Sequence, residues 1–566
     1  MTNSMRVSTF TRFVGWVSLL TVGCAATSST VATPESVAGS NAAARPNIVM
    51  IVLDDAAYSD LGVFGGEIQT PSIDQLAEEG VTLTQFQVTP NCSSTRASLL
   101  TGMDHHRTGL GTHGPAAANQ RGKPGYEGQL NNRVETVAEV LRDAGYRTML
   151  AGKWHLGNRE PATWPLGRGF EDSFALLNGG ASHWDKSPLF PSKPTVFVEG
   201  KTPVEELPAD FYSSDFFTDK IIGYIESTEK PFFAFLSFTA PHNPLHAPAA
   251  LIDKYKDTYA DGWDALRRRR LESLKSVGIV ADSVTTRARP DWIPAWDSLD
   301  DVAKERATRD IAIYAAMIDR VDQNVGRLVT RLHELGKYDN TIIVVFSDNG
   351  PSKTTIADYL GMDGMDPNYL ERFNNGLDNR GLPNSNVDLG PGWAYGLAAP
   401  FRLMKGYQSQ GGVMSPLIVK PPANWEKPHK RIANPVHVMD IMPTFVDVAQ
   451  GKPPGGGDTY EMQGESLAGL LQGGEGDAFE QRGVGSELFG IRAYRLGDWK
   501  ILQLPPPYGT GQWQLYDLSK DPGETNDLAA RYPERLEDLA KKWQAYAATN
   551  GVVEPDTPTL YARPPH

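Results

Sequence analysis

The sequence predicts an α/β fold: one large sheet layered with helices, followed by a smaller C-terminal α+β domain. Three observations predict it. Asn47–Leu53, Pro231–Phe238 and Thr341–Phe346 are continuous apolar runs rich in branched and aromatic residues, the pattern of strands buried on both faces of a mostly parallel sheet. Helical periodicities alternate with these runs. Beyond about residue 480 the pattern shifts to short strands and a closing helix.

Taken in order, residues 1–24 carry Arg6 and Arg12 and then an apolar stretch from Phe13 to Gly23, too short to span a bilayer and suited to a secretory signal peptide. The stretch ends Leu20-Thr21-Val22-Gly23-Cys24, similar to a bacterial lipobox with Thr21 where leucine is usual. Two routes are open: a lipid anchor at Cys24, or ordinary cleavage after a small residue nearby. Both lead to an exported protein, periplasmic or held at the outer membrane or cell surface as a lipoprotein. The Ala/Ser/Thr-rich stretch 25–45 has no periodicity and reads as a flexible tether.

The main domain is expected over 46–480. Its first strand, Asn47–Leu53, stops at Asp54-Asp55. Asn132 is placed to cap a helix in which Val134, Val137, Ala138 and Leu141 share a stripe, with Gly145 to stop it. Pro231–Phe238 leads into Thr239 to Pro244. The basic run Arg267 to Arg270 lies in an amphipathic segment flanked by acids and reads as a solvated helix face, not a nucleic-acid patch. Ile311 to Leu335 is a longer helix ended by Gly336. Thr341–Phe346 stops at Ser347-Asp348-Asn349-Gly350. After a Gly/Pro-rich loop at 452–458, strands at about 485–504 and 512–518 and a helix at 533–547 make the domain 481–566. No internal repeat is visible.

The 566 residues are 40% hydrophobic, enough for a large core, and the formal net charge of −14 disfavours nucleic acid and anionic membrane surfaces as partners. An anionic substrate then needs a local cluster of cations. Only two cysteines occur, so processing at Cys24 leaves Cys92 without a disulfide partner: reactive, modified or simply buried. Three apolar strands end in polar residues, and ligands of α/β sheets bind outside the carboxyl ends of strands. The paired carboxylates Asp54 and Asp55 repel each other unless a cation lies between them. With Asp348 and Asn349 they form an oxygen-rich set suited to Ca²⁺ or Mg²⁺ rather than zinc.

The stretch Asn91-Cys92-Ser93-Ser94-Thr95-Arg96, continuing to Leu100-Thr101-Gly102, resembles the first signature of the formylglycine-dependent (type I) sulfatases of the alkaline phosphatase superfamily. Gly145-Tyr146-Arg147-Thr148 with Gly152-Lys153-Trp154-His155 resembles the second. Further matches, in the same order, are Pro241-His242-Asn243-Pro244, Asp348-Asn349-Gly350, Lys405 with Gln410-Gly411-Gly412, and Leu515-Tyr516-Asp517 with Asp521-Pro522-Gly523-Glu524. Asp104-His105-His106 and Pro391-Gly392-Trp393 look closest to bacterial arylsulfatases.

The resemblance implies a mixed sheet sandwiched by helices and hydrolysis of sulfate esters, aryl or alkyl, to alcohol and sulfate. It implies that Cys92 is oxidised to formylglycine, whose hydrated form attacks sulfur and passes through a sulfated intermediate. Ca²⁺ (or Mg²⁺) would be held by Asp54, Asp55, Asp348, Asn349 and the converted Cys92. Arg96 would steady the nucleophile, Lys153 would neutralise sulfate charge, and His155 would take the proton that lets sulfate leave. His242 and Lys405 would bind sulfate and protonate the leaving oxygen. Ser94 stands where the signature has proline, the residue the aerobic formylglycine-generating enzyme reads, which brings in an anaerobic sulfatase-maturating enzyme as the alternative partner. Gln410 stands where some relatives have glutamate.

His105 and His106 read as structural, and no role falls to His113 or His246. Loops 158–210 and 353–400 would grip the leaving alcohol, with Trp164 and Trp184 suited equally to a ligand or to the core. Two rival readings are a phosphonate monoester or phosphodiester hydrolase of the same superfamily and a binding lipoprotein that no longer turns over.

Overall fold

The computed structural model describes residues 14, 45–191, 193–360, 365–426, 430–557 and 561. The signal and tether, with Cys24, fall outside them except for Val14 and Arg45. In chain order the strands are β1 (Asn47–Leu53), β2 (Val81–Leu83), β3 (Phe86–Gln87), β4 (Arg147–Lys153), β5 (Asp172–Leu176), β6 (Phe197–Glu199), β7 (Thr202–Pro203) and β8 (Phe232–Ser237). Then come β9 (Thr341–Ser347), β10 (Leu417–Lys420), β11 (Arg431–Ile432), β12 (Val436–His437), β13 (Gly483–Leu488), β14 (Ile491–Leu496), β15 (Trp499–Gln503) and β16 (Trp513–Asp517).

Ten of them build one sheet in the order β11-β2-β10-β9-β1-β8-β4-β5-β6-β7. The five in the middle, β9 to β5, are parallel, and antiparallel pairings begin at β10 on one flank and β6 on the other. Of these, β1, β8 and β9 are buried on both faces, as their near-continuous apolar runs require. Val49, Ile51 and Leu53 of β1 enter one core with the helices Ser213–Glu226 and Asp301–Glu334. Ile48, Met50 and Val52 enter the other, with the helices Cys92–Thr101, Val137–Asp143 and Ile441–Val448. Each such branched side chain contributes about 1.5–3 kcal/mol by burial. The expected sandwich of a mixed sheet between helices is therefore present.

Register matters most for the site. Val52 pairs with Ser237 on one side and with Phe346 on the other, and Ser237 pairs with Gly152. The carboxyl ends of β9, β1, β8 and β4 thus lie side by side along one edge.

Three local expectations are corrected. The helix expected from Asn132 begins at Val137, because Thr136 and Glu139 form a reciprocal capping box that satisfies its first amides; Val134 is buried but outside the helix. The helix expected from Ile311 starts a decade earlier, at Asp301 behind the cap Asp300; its first turns are exposed or half-buried and carry no apolar stripe. The basic run is not wholly solvated. Arg268 and Arg269 are exposed, whereas Arg270 is buried on Asp60 and Glu67 and Arg267 on the carbonyls of Tyr395, Pro400 and Phe401.

β13 to β16 form a four-stranded antiparallel sheet, and the helix Pro533–Asn550 packs Leu539 and Trp543 against Ile501 and Leu515. His106 meets Glu487 of β13 at 2.9 Å, and Lys500 of β15 donates to the Gln408 carbonyl at 2.6 Å. From Arg45 onward the chain is one compact unit.

Candidate active site

Cys92 is the first residue of a ten-residue helix whose residues are all buried. Asn91 caps it, its side chain accepting from the Ser93 amide, and Gly102 ends it in the left-handed region. The dipole and free amides of this helix start therefore point at the place where Cys92 Sγ lies. Cys92 is 2% exposed and has a free thiol.

The edge made by β9, β1, β8 and β4 brings the expected residues to it. Lys405 Nζ donates to Cys92 Sγ at 3.2 Å and to Asp55 Oδ1 at 2.6 Å. Lys153 Nζ donates to Asp54 Oδ2 at 2.6 Å. His242 Nε2 lies 3.7 Å from Asp55 Oδ2, and Asn349 Nδ2 donates to Asp55 Oδ1 at 2.5 Å. Asp348 accepts from the Asp55 amide at 3.3 Å and from Arg96 Nε at 2.9 Å. Ligand atoms of Asp54, Asp55, Cys92 and His242 all lie within 4.8 Å of one another.

Arg96 reaches Asp348, the Lys153 carbonyl at 3.2 Å and Ser237 Oγ at 2.5 Å. It ties β9, β4 and β8 together beneath Cys92. Ser237 is a site residue the sequence did not single out; its place as the last residue of an apolar strand was the available signal. His155 sits just past β4 with φ +60, a strained position for histidine. A Cβ on Gly179 would lie 2.6 Å from its ring, so only glycine fits there.

The electrostatics follow from burial and charge. Burial would raise the Cys92 thiol, but the Lys153 and Lys405 ammoniums more than offset this and bring it down to about 6. Burial likewise opposes ionisation of Asp55, yet Lys405 and then His242 hold it at about 2. Asp348 is pushed up to about 6 by burial and by the Asp54 carboxylate, and Asp54 is raised by burial against the pull of Lys153. His155 is driven well below the ordinary histidine value by burial and then by Lys153 and Arg96, so its ring is neutral.

Three buried carboxylates converge here, and Asp54 Oδ1, Asp55 Oδ2 and Asn349 Oδ1 have no hydrogen-bond donor. Orphaned oxygens of this kind, without a second histidine or a structural thiolate set, fit a hard divalent cation.

A cleft of about 470 Å³ opens over Cys92, lined also by His113, His155, His242, Lys405 and Tyr561. The two loop regions expected to hold the leaving group supply Phe190, Lys193 and Tyr359. Trp164 lies in the core and Trp184 packs on Tyr212; neither lines the cleft. His113 lies at its wall with Nδ1 3.1 Å from Ser93 Oγ. His246 is buried against the Ser385 carbonyl and the His183 amide. His106 is clamped between Asp104 and Glu487, and His105 bonds the Leu110 carbonyl, both as structural groups.

The sulfatase family's sequence profile matches residues 46–451. The chain is 39% identical to an uncharacterized sulfatase of Schizosaccharomyces pombe over 528 residues, covering 90% of this chain and 94% of the relative. It is 36% identical to an arylsulfatase of Klebsiella aerogenes over 412 residues, covering 72% and 87%. In fold it is similar to the crystal structure of Ps i-CgsB in complex with k-i-k-neocarrahexaose, with TM-score 0.62, 22% identity and coverage of 90% and 94%. With the paired signatures, the strand-end carboxylates and the buried thiol between two lysines, these likenesses place the chain in the sulfatase family, whose members hydrolyse sulfate esters.

Proposed function

We propose that the chain cleaves aryl or alkyl sulfate esters at Cys92 after its conversion to formylglycine, with Ca²⁺ held by Asp54, Asp55, Asp348, Asn349 and the converted residue. One observation carries the proposal: a buried nucleophile position flanked by two ammoniums and by three orphaned carboxyl and amide oxygens. Bound there, the cation supplies Lewis-acid charge to a sulfate oxygen, and formylglycine supplies a hydroxyl nucleophile.

The chain's own residues do the rest. Lys153 and Lys405 neutralise the sulfate, whose charge the protein's overall −14 would otherwise repel. The start of the helix Cys92–Thr101 adds backbone donors to the same oxygens. Burial disfavours the charge on His242, but Asp55 raises its pKa above the ordinary value, which suits it to protonate a departing oxygen. Neutral His155 is the base for the second half of the reaction. Arg96 acts through others, fixing Asp348 and the Lys153 backbone.

The reading extends to processing. The N-terminal segment directs export, either to a lipid anchor at Cys24 or through ordinary cleavage after a small residue nearby, and the partner for conversion is a formylglycine-generating or anaerobic sulfatase-maturating enzyme. Palmitate labelling of the wild type and of Cys24→Ala in the native host tests the anchor.

The central test is mass spectrometry of the Cys92 peptide alongside turnover of 4-nitrophenyl sulfate, a phosphodiester and a phosphonate ester. Formylglycine at Cys92, preference for the sulfate and loss of turnover in Cys92→Ala are expected. Intact thiol with full turnover, or preference for a phosphorus ester, overturns the proposal.

A further inference from the structure

Asp54 and Asp55 are neighbours in sequence, and that poses a geometric problem. In an extended chain successive side chains point to opposite faces, so two adjacent carboxylates at the end of β1 would face away from each other. Here ligand atoms of both lie within 4.8 Å of one another and of those of Cys92 and His242. The chain brings them together by turning at Asp55, whose φ is +72. That is the left-handed region, costly for a residue with a Cβ and kept only where the surroundings over-determine it.

The surroundings hold the turn from both sides. On the amide side, the Asp55 N–H donates to Asp348 Oδ1 at 3.3 Å, and the Asp54 N–H to the Ala240 carbonyl at 3.0 Å. On the carbonyl side, the Tyr314 hydroxyl lies 3.2 Å from the Asp55 carbonyl and 2.6 Å from Asp60 Oδ2. With one proton for two acceptors, it donates chiefly to the nearer carboxylate and shares the rest with Asp55. Among the described residues the Asp55 carbonyl has no other donor. The Ala57 amide donates to the same Asp60 oxygen at 2.6 Å and meets the Tyr314 hydroxyl at 3.2 Å, so residues 55–57 are tied to this one pair of side chains.

The pair is itself held in place. Tyr314 is 1% exposed and belongs to the helix Asp301–Glu334, in the core on one face of β1. Asp60 Oδ1 accepts from Arg270 Nη1 at 2.7 Å, and Arg270 is fixed in turn by Glu67 at 2.8 Å. Neither Asp60 nor Tyr314 lines the cleft, so their influence on the site runs through the Asp55 backbone.

We propose that Tyr314 and Asp60 are positioning residues for the cation, holding the turn that lets Asp55 share one metal ion with Asp54. This rests on the calcium-site reading above. Full-length, chelator-treated protein is titrated with Ca²⁺ by calorimetry as wild type, Tyr314→Phe, Asp60→Asn and Tyr259→Phe. With Cys92 converted, turnover of 4-nitrophenyl sulfate by each is followed against Ca²⁺ concentration. Tyr259→Phe is the control: it loses a buried hydroxyl of the same cluster, but one that donates to Glu67 at 2.9 Å and does not touch the turn.

Tyr314→Phe is expected to raise the Kd for Ca²⁺ about 10-fold and Asp60→Asn about 10- to 100-fold, with Tyr259→Phe within about twofold of wild type. Excess Ca²⁺ is expected to return Tyr314→Phe to within about twofold of the wild-type kcat, a rescue that general loosening would not show. Asp60→Asn sets an amide donor against Arg270 or against the turn; should it not fold, Tyr314→Phe decides alone. A Tyr314→Phe protein that binds Ca²⁺ as wild type does, that weakens no more than Tyr259→Phe, or that stays slow in excess Ca²⁺ overturns the proposal and leaves the calcium site standing. A wild type that takes up no Ca²⁺ sinks the calcium-site reading and the proposal with it.

Discussion

Ser94 is where maturation and folding can be separated by one substitution. It is the third residue of the helix Cys92–Thr101, so its N–H is one of the four at a helix start that have no intrahelical acceptor. Proline there removes no backbone bond. What Ser94→Pro removes is a hydroxyl bonded to Thr89 Oγ1 at 2.6 Å and to the Asn91 carbonyl at 2.9 Å. Neither partner is stranded: Thr89 Oγ1 keeps Thr95 Oγ1 at 2.8 Å, and the Asn91 carbonyl keeps the Thr95 amide at 3.0 Å. Two neutral bonds without a residual orphan are worth about 1–2 kcal/mol in all. Ser94→Pro is therefore expected to fold, with a melting temperature lowered by no more than about 5 °C. Produced in an aerobic host with a formylglycine-generating enzyme, it is expected to show a larger converted fraction at Cys92 than the wild type, read by mass spectrometry of that peptide. A collapse of stability would refute the account of the helix start. An unchanged converted fraction in that host would refute Ser94 as the determinant of the maturation partner.

Arg270→Met leaves Asp60 and the partly buried Glu67 without their cation and is expected to cost about 3–5 kcal/mol in urea unfolding, against less than about 0.5 for exposed Arg268→Met. Burial holds His183 at about 3 and His246 and His437 at about 4, below the unfolded value near 6.5. The unfolded chain thus takes up protons first, and stability present above pH 6.5 is lost as pH falls. At pH 5 each of the three removes about 2 kcal/mol, and NMR titration that places their imidazoles near 6.5 in the folded protein would contradict this. Calcium at about a hundredfold its Kd is expected to add about 2.7 kcal/mol to chelator-treated protein, an increment absent in Asp54→Ala. Gly179→Ala puts a methyl into the His155 ring and is expected to lower kcat about 10- to 100-fold with little change in melting temperature; wild-type kcat would show that His155 need not hold its place.

The catalytic floor was legible because a parallel sheet converts sequence pattern into position. An apolar run of known direction must end at the carboxyl edge, so Asp54, Asp55, Asp348 and Asn349 were bound to meet once β1 and β9 paired. His242 followed from β8 by the same rule, while Lys153, at the end of the unforeseen β4, was located by the family resemblance. Lys405 and Cys92 lie on no such strand end, and only the family resemblance located them. The short flanking strands β6, β7, β10 and β11 left no trace, since two to four residues cannot display a period. Thr136 was overlooked as a cap in favour of Asn132, although Glu139 three residues later was in plain view.

What sequence pattern could not supply was partnership across the chain. Arg96 looked like a group for the nucleophile, and its bonds prove to run to Asp348, Ser237 and the Lys153 carbonyl, from three strands. Arg267 and Arg270 looked solvated because their partners lie on segments more than a hundred residues away. Tyr561 gave no local signal at all; its one mark is the missing side chain at Gly406, which admits its ring. Chemistry common to a family sits where the sheet dictates and can be read from strand ends, while the wall of the cleft is assembled from segments distant in sequence, whose meeting no periodicity records. The wall of the cleft therefore has to be tested substrate by substrate, where the floor can be tested residue by residue.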